Sequence, residues 1–162
     1  MGSDNKSLSE QLEKLRNSKT VILGIGNTLK GDDGAGPLVC EGLVGKTCAE
    51  LIDAGSVPEN YIQPIIKKAP QSLVIIDAVD FGGSVGEINI FKPEQLNSLV
   101  ISTHTLSPRI FIDMIRQDIA VDVYFIGIQS AQVRFGEGVS VEVESSVQHL
   151  VSILVEIFPL GA

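Results

Sequence analysis

The run Ser72-Leu73-Val74-Ile75-Ile76, rich in β-branched residues and almost free of polar interruption, constrains the fold of this chain more than any other stretch. Alternating polar and apolar residues mark a strand with one wet face. A continuous apolar run marks a strand covered on both faces, as in a parallel sheet between helical layers. Val21-Ile22-Leu23-Gly24-Ile25 has the same character. Each run leads into acids: the first through the turn Gly26-Asn27-Thr28-Leu29-Lys30-Gly31 to Asp32-Asp33-Gly34, the second into Asp77-Ala78-Val79-Asp80. Ligands of open parallel sheets gather beyond the carboxyl ends of the strands, so acids there are placed for chemistry.

Around these strands the pattern predicts helices and further strands in alternation. Ser7-Leu8-Ser9-Glu10 has capping-box spacing, and Leu8, Leu12 and Leu15 recur at helical intervals, so residues 1–19 read as a helical, mobile leader ahead of one domain over 20–162. Thr20 to Ile25 is a strand, Pro37 to Val44 a helix with an early proline, and Thr47 to Ile52 a second strand. Asp53 to Pro58 reads as a turn and Glu59 to Lys68 as a surface helix containing Pro64. Gly86 to Phe91 alternates as a half-exposed, antiparallel edge strand would. Ser107-Pro108 opens a helix to Gln117, Val121 to Ile128 forms a strand, and Ser145 to Phe158 is a closing helix. The order predicts a three-layer α/β/α domain with a mostly parallel twisted sheet and one antiparallel edge strand.

With 162 residues, 44% of them apolar, the chain can bury a sizeable single core. Its formal charge of -8 opposes general binding to nucleic acid or anionic membranes. No stretch approaches the ~18 apolar residues of a membrane span, so a cytoplasmic protein without membrane insertion, and a monomer, is the expectation. Cys40 and Cys48 lack CxxC spacing and read as structural thiols.

Gly24-Ile25-Gly26 after a strand invites a dinucleotide-binding reading, but the third glycine of GxGxxG would fall at Leu29. Gly26 and Gly31 have phosphate-loop separation, yet Asp32-Asp33 follow where Lys and Ser or Thr belong, and carboxylates repel phosphate. The acids therefore face a cation or a peptide. One of the adjacent pair could cap a helix, but a second carboxylate beside it is unfavourable unless exposed, protonated or balanced by a cation. His104, in the loop Ser102-Thr103-His104-Thr105, could join them, whereas His149 lies in a helical pattern and reads as a surface residue. Asp33, Asp77 and His104 would offer oxygen and nitrogen donors compatible with nickel, zinc or iron, with positions left open for substrate.

Gly24-Ile25-Gly26-Asn27 with Gly31-Asp32-Asp33-Gly34-Ala35-Gly36-Pro37 resembles the N-terminal signature of the nickel-iron hydrogenase maturation endopeptidases, and Asp53 to Asn60 resembles that family's second loop. Ile76 to Asp80 with Gly86-Glu87-Ile88, then Ser102-Thr103-His104, then Phe125 to Gln129 align in the same order. The resemblance implies a single cut near the C-terminus of a [NiFe]-hydrogenase large-subunit precursor after nickel insertion, with the nickel carried by the substrate. It also implies that Asp33, Asp77 and His104 contact that metal and carry the cleavage. An aspartate at position 33 is similar to the branch serving formate-hydrogenlyase-type hydrogenases.

Three other readings stand beside this one. Asp33 and Asp77 could share a proton as an aspartic-protease dyad, in which His104 has no part. A magnesium-dependent phosphotransfer site would use the same acids but needs a lysine near the last strand, where Gly127-Ile128-Gln129-Ser130 supplies none. A nickel-sensing or hydrogenase-assembly chaperone would bind precursor without cutting it.

Overall fold

The computed structural model describes residues 6–99, 106–131 and 133–161. Its centre is a sheet of β1 (Thr20–Ile25), β2 (Glu50–Gly55), β3 (Ser72–Val79), β4 (Ile88–Phe91) and β5 (Asp122–Gln129), in the order β2-β1-β3-β5-β4. The two unbroken apolar runs become β1 and β3, buried at every position. All pairings are parallel except β4 with β5, where Ile88 to Phe91 run against Ile128 to Phe125. Successive side chains of a strand point to opposite faces, so each central strand feeds two cores. Ile22, Val74, Ile76, Ile126 and Ile128 pack beneath α2 (Ala35–Leu43) and α5 (Val141–Ile157). Leu23, Leu73, Ile75 and Phe125 pack beneath α3 (Ile62–Lys68) and α4 (Pro108–Arg116).

The leader forms α1 (Leu8–Leu12), capped by Ser7, whose hydroxyl accepts the Glu10 N–H at 3.2 Å. It is not detached from the domain. Leu12 and Leu15 are 0% and 2% exposed in the core beneath α2 and α5, and Arg16 donates to the Glu156 carbonyl at 3.0 Å.

The second strand lies further along than Thr47 to Ile52. Phe158 at the end of α5 holds residues 47 and 48: its carbonyl accepts from Thr47 Oγ1 at 2.7 Å and from the Cys48 N–H at 3.0 Å. Pairing with β1 then extends through Gly55, which puts Asp53 in the strand instead of a turn. The helix expected from Glu59 begins instead as a 3₁₀ turn over Pro58–Tyr61. Pro64 sits in the first turn of α3, where a backbone N–H has no helical partner to lose. α5 starts a full turn before Ser145, with the Ser140 hydroxyl accepting the Val143 N–H at 3.4 Å and Val143 fully buried. α2 likewise begins before Pro37, at Ala35.

Candidate active site

Strand order reverses at β1: from its carboxyl end the chain crosses to β2 on one side, and β3 returns on the other. Ligand crevices of open α/β sheets form at such switch points. Tight packing builds this one. Gly26, at φ +144°, donates its N–H to the Gly55 carbonyl at 2.8 Å, and a Cβ on it would lie 1.9 Å from the Asp33 carbonyl oxygen. A Cβ on Gly36 would meet the Ile25 and Ile76 carbonyls, each at 2.4 Å, so only glycine lets α2 settle over the β1–β3 seam. Gly26, which both nucleotide-loop readings shared, thus serves close backbone approach.

The segment Gly31–Gly34 is a 3₁₀ turn packed against β3, and it sends its two acids in different directions. Asp32, 0% exposed, reaches the segment between β5 and α5. Its Oδ1 accepts the Ser140 N–H at 2.6 Å, and its Oδ2 accepts the Ala131 N–H at 2.7 Å and the Ser140 hydroxyl at 3.0 Å. Asp33, 1% exposed, turns back toward the β1 loop, where its Oδ2 accepts the Asn27 N–H at 2.8 Å. The adjacent pair is therefore divided: Asp32 fastens the segment between β5 and α5, while Asp33 faces the loop after β1.

Asp77 lies inside β3, fully buried, level with Gly127 of β5 and one residue beyond Ile76, which pairs with Gly24 of β1. The turn that carries Asp33 packs against β3, the strand that carries Asp77. His104 lies outside the described residues. Among the described residues no group of three His, Cys, Asp or Glu side chains is arranged to hold a metal ion. Buried carboxylates are tolerated when hydrogen-bonded, paired with a charge or bound to a cation. His149 is exposed on α5, as the helical pattern predicts.

Gln129 is a positioning residue that sequence reasoning did not single out. It is 5% exposed at the end of β5; its Oε1 accepts the Phe81 and Gly83 N–H groups at 2.9 and 3.0 Å, and its Nε2 donates to Asp80 Oδ1 at 3.0 Å and the Ser130 carbonyl at 3.1 Å. One amide thereby shapes the loop that leaves β3 just after Asp77. The Gln129 amide, helped by the Gly82 N–H, holds the Asp80 carboxyl below its ordinary range. On the opposite side of β1, burial pushes the Cys40 thiol up to about 12. Cys40 donates to the Ile52 carbonyl at 3.6 Å, Cys48 is exposed, and both are free thiols, as structural cysteines would be.

A mostly parallel α/β/α sheet whose strand order reverses at β1, with buried acids beside that reversal, is the architecture of an α/β protein that binds its ligand at the strand ends. The family model for HycI, hydrogenase maturation protease, matches residues 43–157. The Hydrogenase 3 maturation protease of Escherichia coli K12 is 40% identical over 118 residues, covering 71% of this chain and 75% of that protein. The crystal structure of a [NiFe] hydrogenase maturation protease HycI from Thermococcus kodakarensis KOD1 superposes with a TM-score of 0.82 at 34% identity, covering 91% of this chain and 97% of the other. The solution structure of the endopeptidase HycI from Escherichia coli gives 0.78 at 35% identity, covering 85% and 90%. The chain belongs to the hydrogenase maturation protease family, in its HycI-type branch.

Proposed function

We propose that this protein removes the C-terminal extension of a [NiFe]-hydrogenase large-subunit precursor once nickel has been inserted, and that Asp33, Asp77 and His104 recognise the nickel in that substrate. The observation that supports this reading is the division of the acidic pair: Asp32 is committed to holding the fold, while Asp33 turns to the loop that follows β1. Two buried carboxylates on neighbouring strand ends repel each other, and a divalent cation offsets that repulsion. Loading of the substrate then becomes the condition for productive binding. A nickel ion held beside the scissile peptide would polarise its carbonyl or activate a water, with Asp33 or Asp77 taking the proton. The protein acts in this reading as a cytoplasmic monomer; among the described residues no helix is long and apolar enough to cross a membrane.

The test is to mix the protein with its cognate precursor, prepared with and without nickel, and follow the precursor's C-terminal mass. Loss of a peptide from the loaded form alone is expected, and Asp33→Ala, Asp77→Ala or His104→Ala should abolish it with the fold intact. Cleavage of the nickel-free form at acidic pH would replace metal recognition with a proton-sharing dyad. A loaded precursor that binds but stays whole would make the protein a sensor or chaperone.

A further inference from the structure

Of the six phenylalanines, Phe111, Phe125 and Phe158 are buried and Phe81 and Phe91 are half-buried, but Phe135 is 71% exposed. It belongs to a turn that one isolated antiparallel bridge joins to the segment between β1 and Asp32, as a short ribbon. Lys30 bridges Phe135, the Gly136 N–H donates to the Leu29 carbonyl at 2.9 Å, and the Gly31 N–H donates to the Glu137 carbonyl at 3.0 Å. Leu29, on the facing segment of the ribbon, is 68% exposed. The Lys30 ammonium stands 5.2 Å from the centre of the Phe135 ring, which steadies the ring in its exposed position.

We infer that this ribbon, through Leu29 and Phe135, docks an apolar stretch of the precursor next to the scissile bond. The inference rests on the proposed cleavage of a precursor. Continuity with the site carries it. One strand of the ribbon runs straight into Asp32-Asp33, and the segment holding the other is fastened at both ends, Ala131 and Ser140, by the Asp32 carboxylate. The exposed apolar pair is thus tied to the acid turn through Asp32, the neighbour of Asp33. A peptide presenting its metal to Asp33 and its backbone to the crevice passes this rim. An aromatic ring there offers a large contact area at little cost in side-chain entropy.

The test is steady-state cleavage of nickel-loaded precursor by wild type, Phe135→Ala, Leu29→Ala and the control Val44→Ala, whose side chain is equally exposed on the loop after α2. Truncating a buried anchor at an interface costs about 2 kcal/mol or more, so KM should rise about thirtyfold in Phe135→Ala, with kcat within about twofold. Leu29→Ala should raise KM less, and Val44→Ala should leave both constants unchanged. Melting temperatures of all four should agree, because the truncated side chains lie outside the core. Unchanged KM in both ribbon variants overturns the inference while wild-type cleavage still stands. Sedimentation of the protein alone decides the other occupant: a dimer that Phe135→Ala dissociates would make the ribbon a self-association surface and overturn it too. Failure of wild type to cut loaded precursor would instead strike the proposed function itself.

Discussion

Asp32 and Asp33 are chemically identical neighbours in one turn, and substitution should separate them. Asp32 is fully buried and, among the described residues, accepts hydrogen bonds from the Ala131 and Ser140 N–H groups and the Ser140 hydroxyl. A hydrogen bond to a charged group contributes about 1.5–3 kcal/mol, but three that share one carboxylate, with donors partly reachable by water, do not add. A loss of about 2–4 kcal/mol is expected for Asp32→Asn, whose NH₂ would face a backbone N–H where an oxygen stood. That is a large fraction of the ~5–15 kcal/mol that holds a domain together, and at about 2–4 °C per kcal/mol it lowers Tm by about 4–16 °C. Asp33→Asn keeps an oxygen to accept the Asn27 N–H, so its Tm should move much less while precursor cleavage is lost. Urea unfolding and cleavage of loaded precursor, measured on both variants, give the comparison. Wild-type stability in Asp32→Asn, or full cleavage in Asp33→Asn, would refute the division of labour.

Three further perturbations test the packing around the site. Gly36→Ala puts a methyl 2.4 Å from two strand carbonyls, so α2 must lift from the seam; the expected cost is about 3 kcal/mol or more in urea unfolding, with impaired cleavage. Cys40, with a folded thiol value of about 12 against an ordinary 9.0, contributes stability that is present below 9.0 and lost as pH rises toward 12, because the unfolded chain releases that proton first. Melts across this range should fall more steeply for wild type than for Cys40→Ala, and thiol reagents should label Cys48 alone in the native protein. Gln129→Leu strands the Phe81 and Gly83 N–H groups, at an expected cost of about 1–3 kcal/mol. It also removes the partner that depresses Asp80, whose contribution is present at neutral pH and lost as pH falls below the ordinary 3.8. Acid melts of Gln129→Leu should therefore lack that component.

Local chemistry was enough to read the sheet. The runs that became β1 and β3 are apolar at nearly every position, which only a doubly covered strand tolerates, and the alternation over Ile88–Phe91 identified the antiparallel edge. What sequence could not supply was set by distant partners. The β2 boundary moved because the Phe158 carbonyl holds Thr47 from 111 residues away. The start of α5 moved because Ser140, recruited by Asp32 across 108 positions, caps the helix a turn early. The roles of Asp32 and Asp33 were undecidable from spacing for the same reason, since their local contexts are alike and only tertiary contacts differ. Gln129 drew notice in the sequence only as the end of a matched segment and as a place without a lysine; its four side-chain hydrogen bonds exist because β3 and β5 pair in register, Val79 beside Gln129.

The division of the acidic pair also bears on how one peptide bond could be selected. An enzyme that must register a cation and a scissile bond together needs its metal-contacting acid and its peptide-docking rim at a fixed separation. Flexible loops would blur that separation, and loops are what the ends of strands normally carry. Here the rim ribbon is tied at Ala131 and Ser140 to the carboxylate next in sequence to Asp33, and at Gly31 and Gly136 to its own partner segment. Displacing the ribbon from the crevice would break charge-assisted hydrogen bonds to a buried acid, which are about twice as strong as neutral ones. The other aspartate of the motif, Asp32, idle in any scheme that asks only for metal contacts, thereby has a physical role in the fold: it fastens the turn after β1 to the segment between β5 and α5.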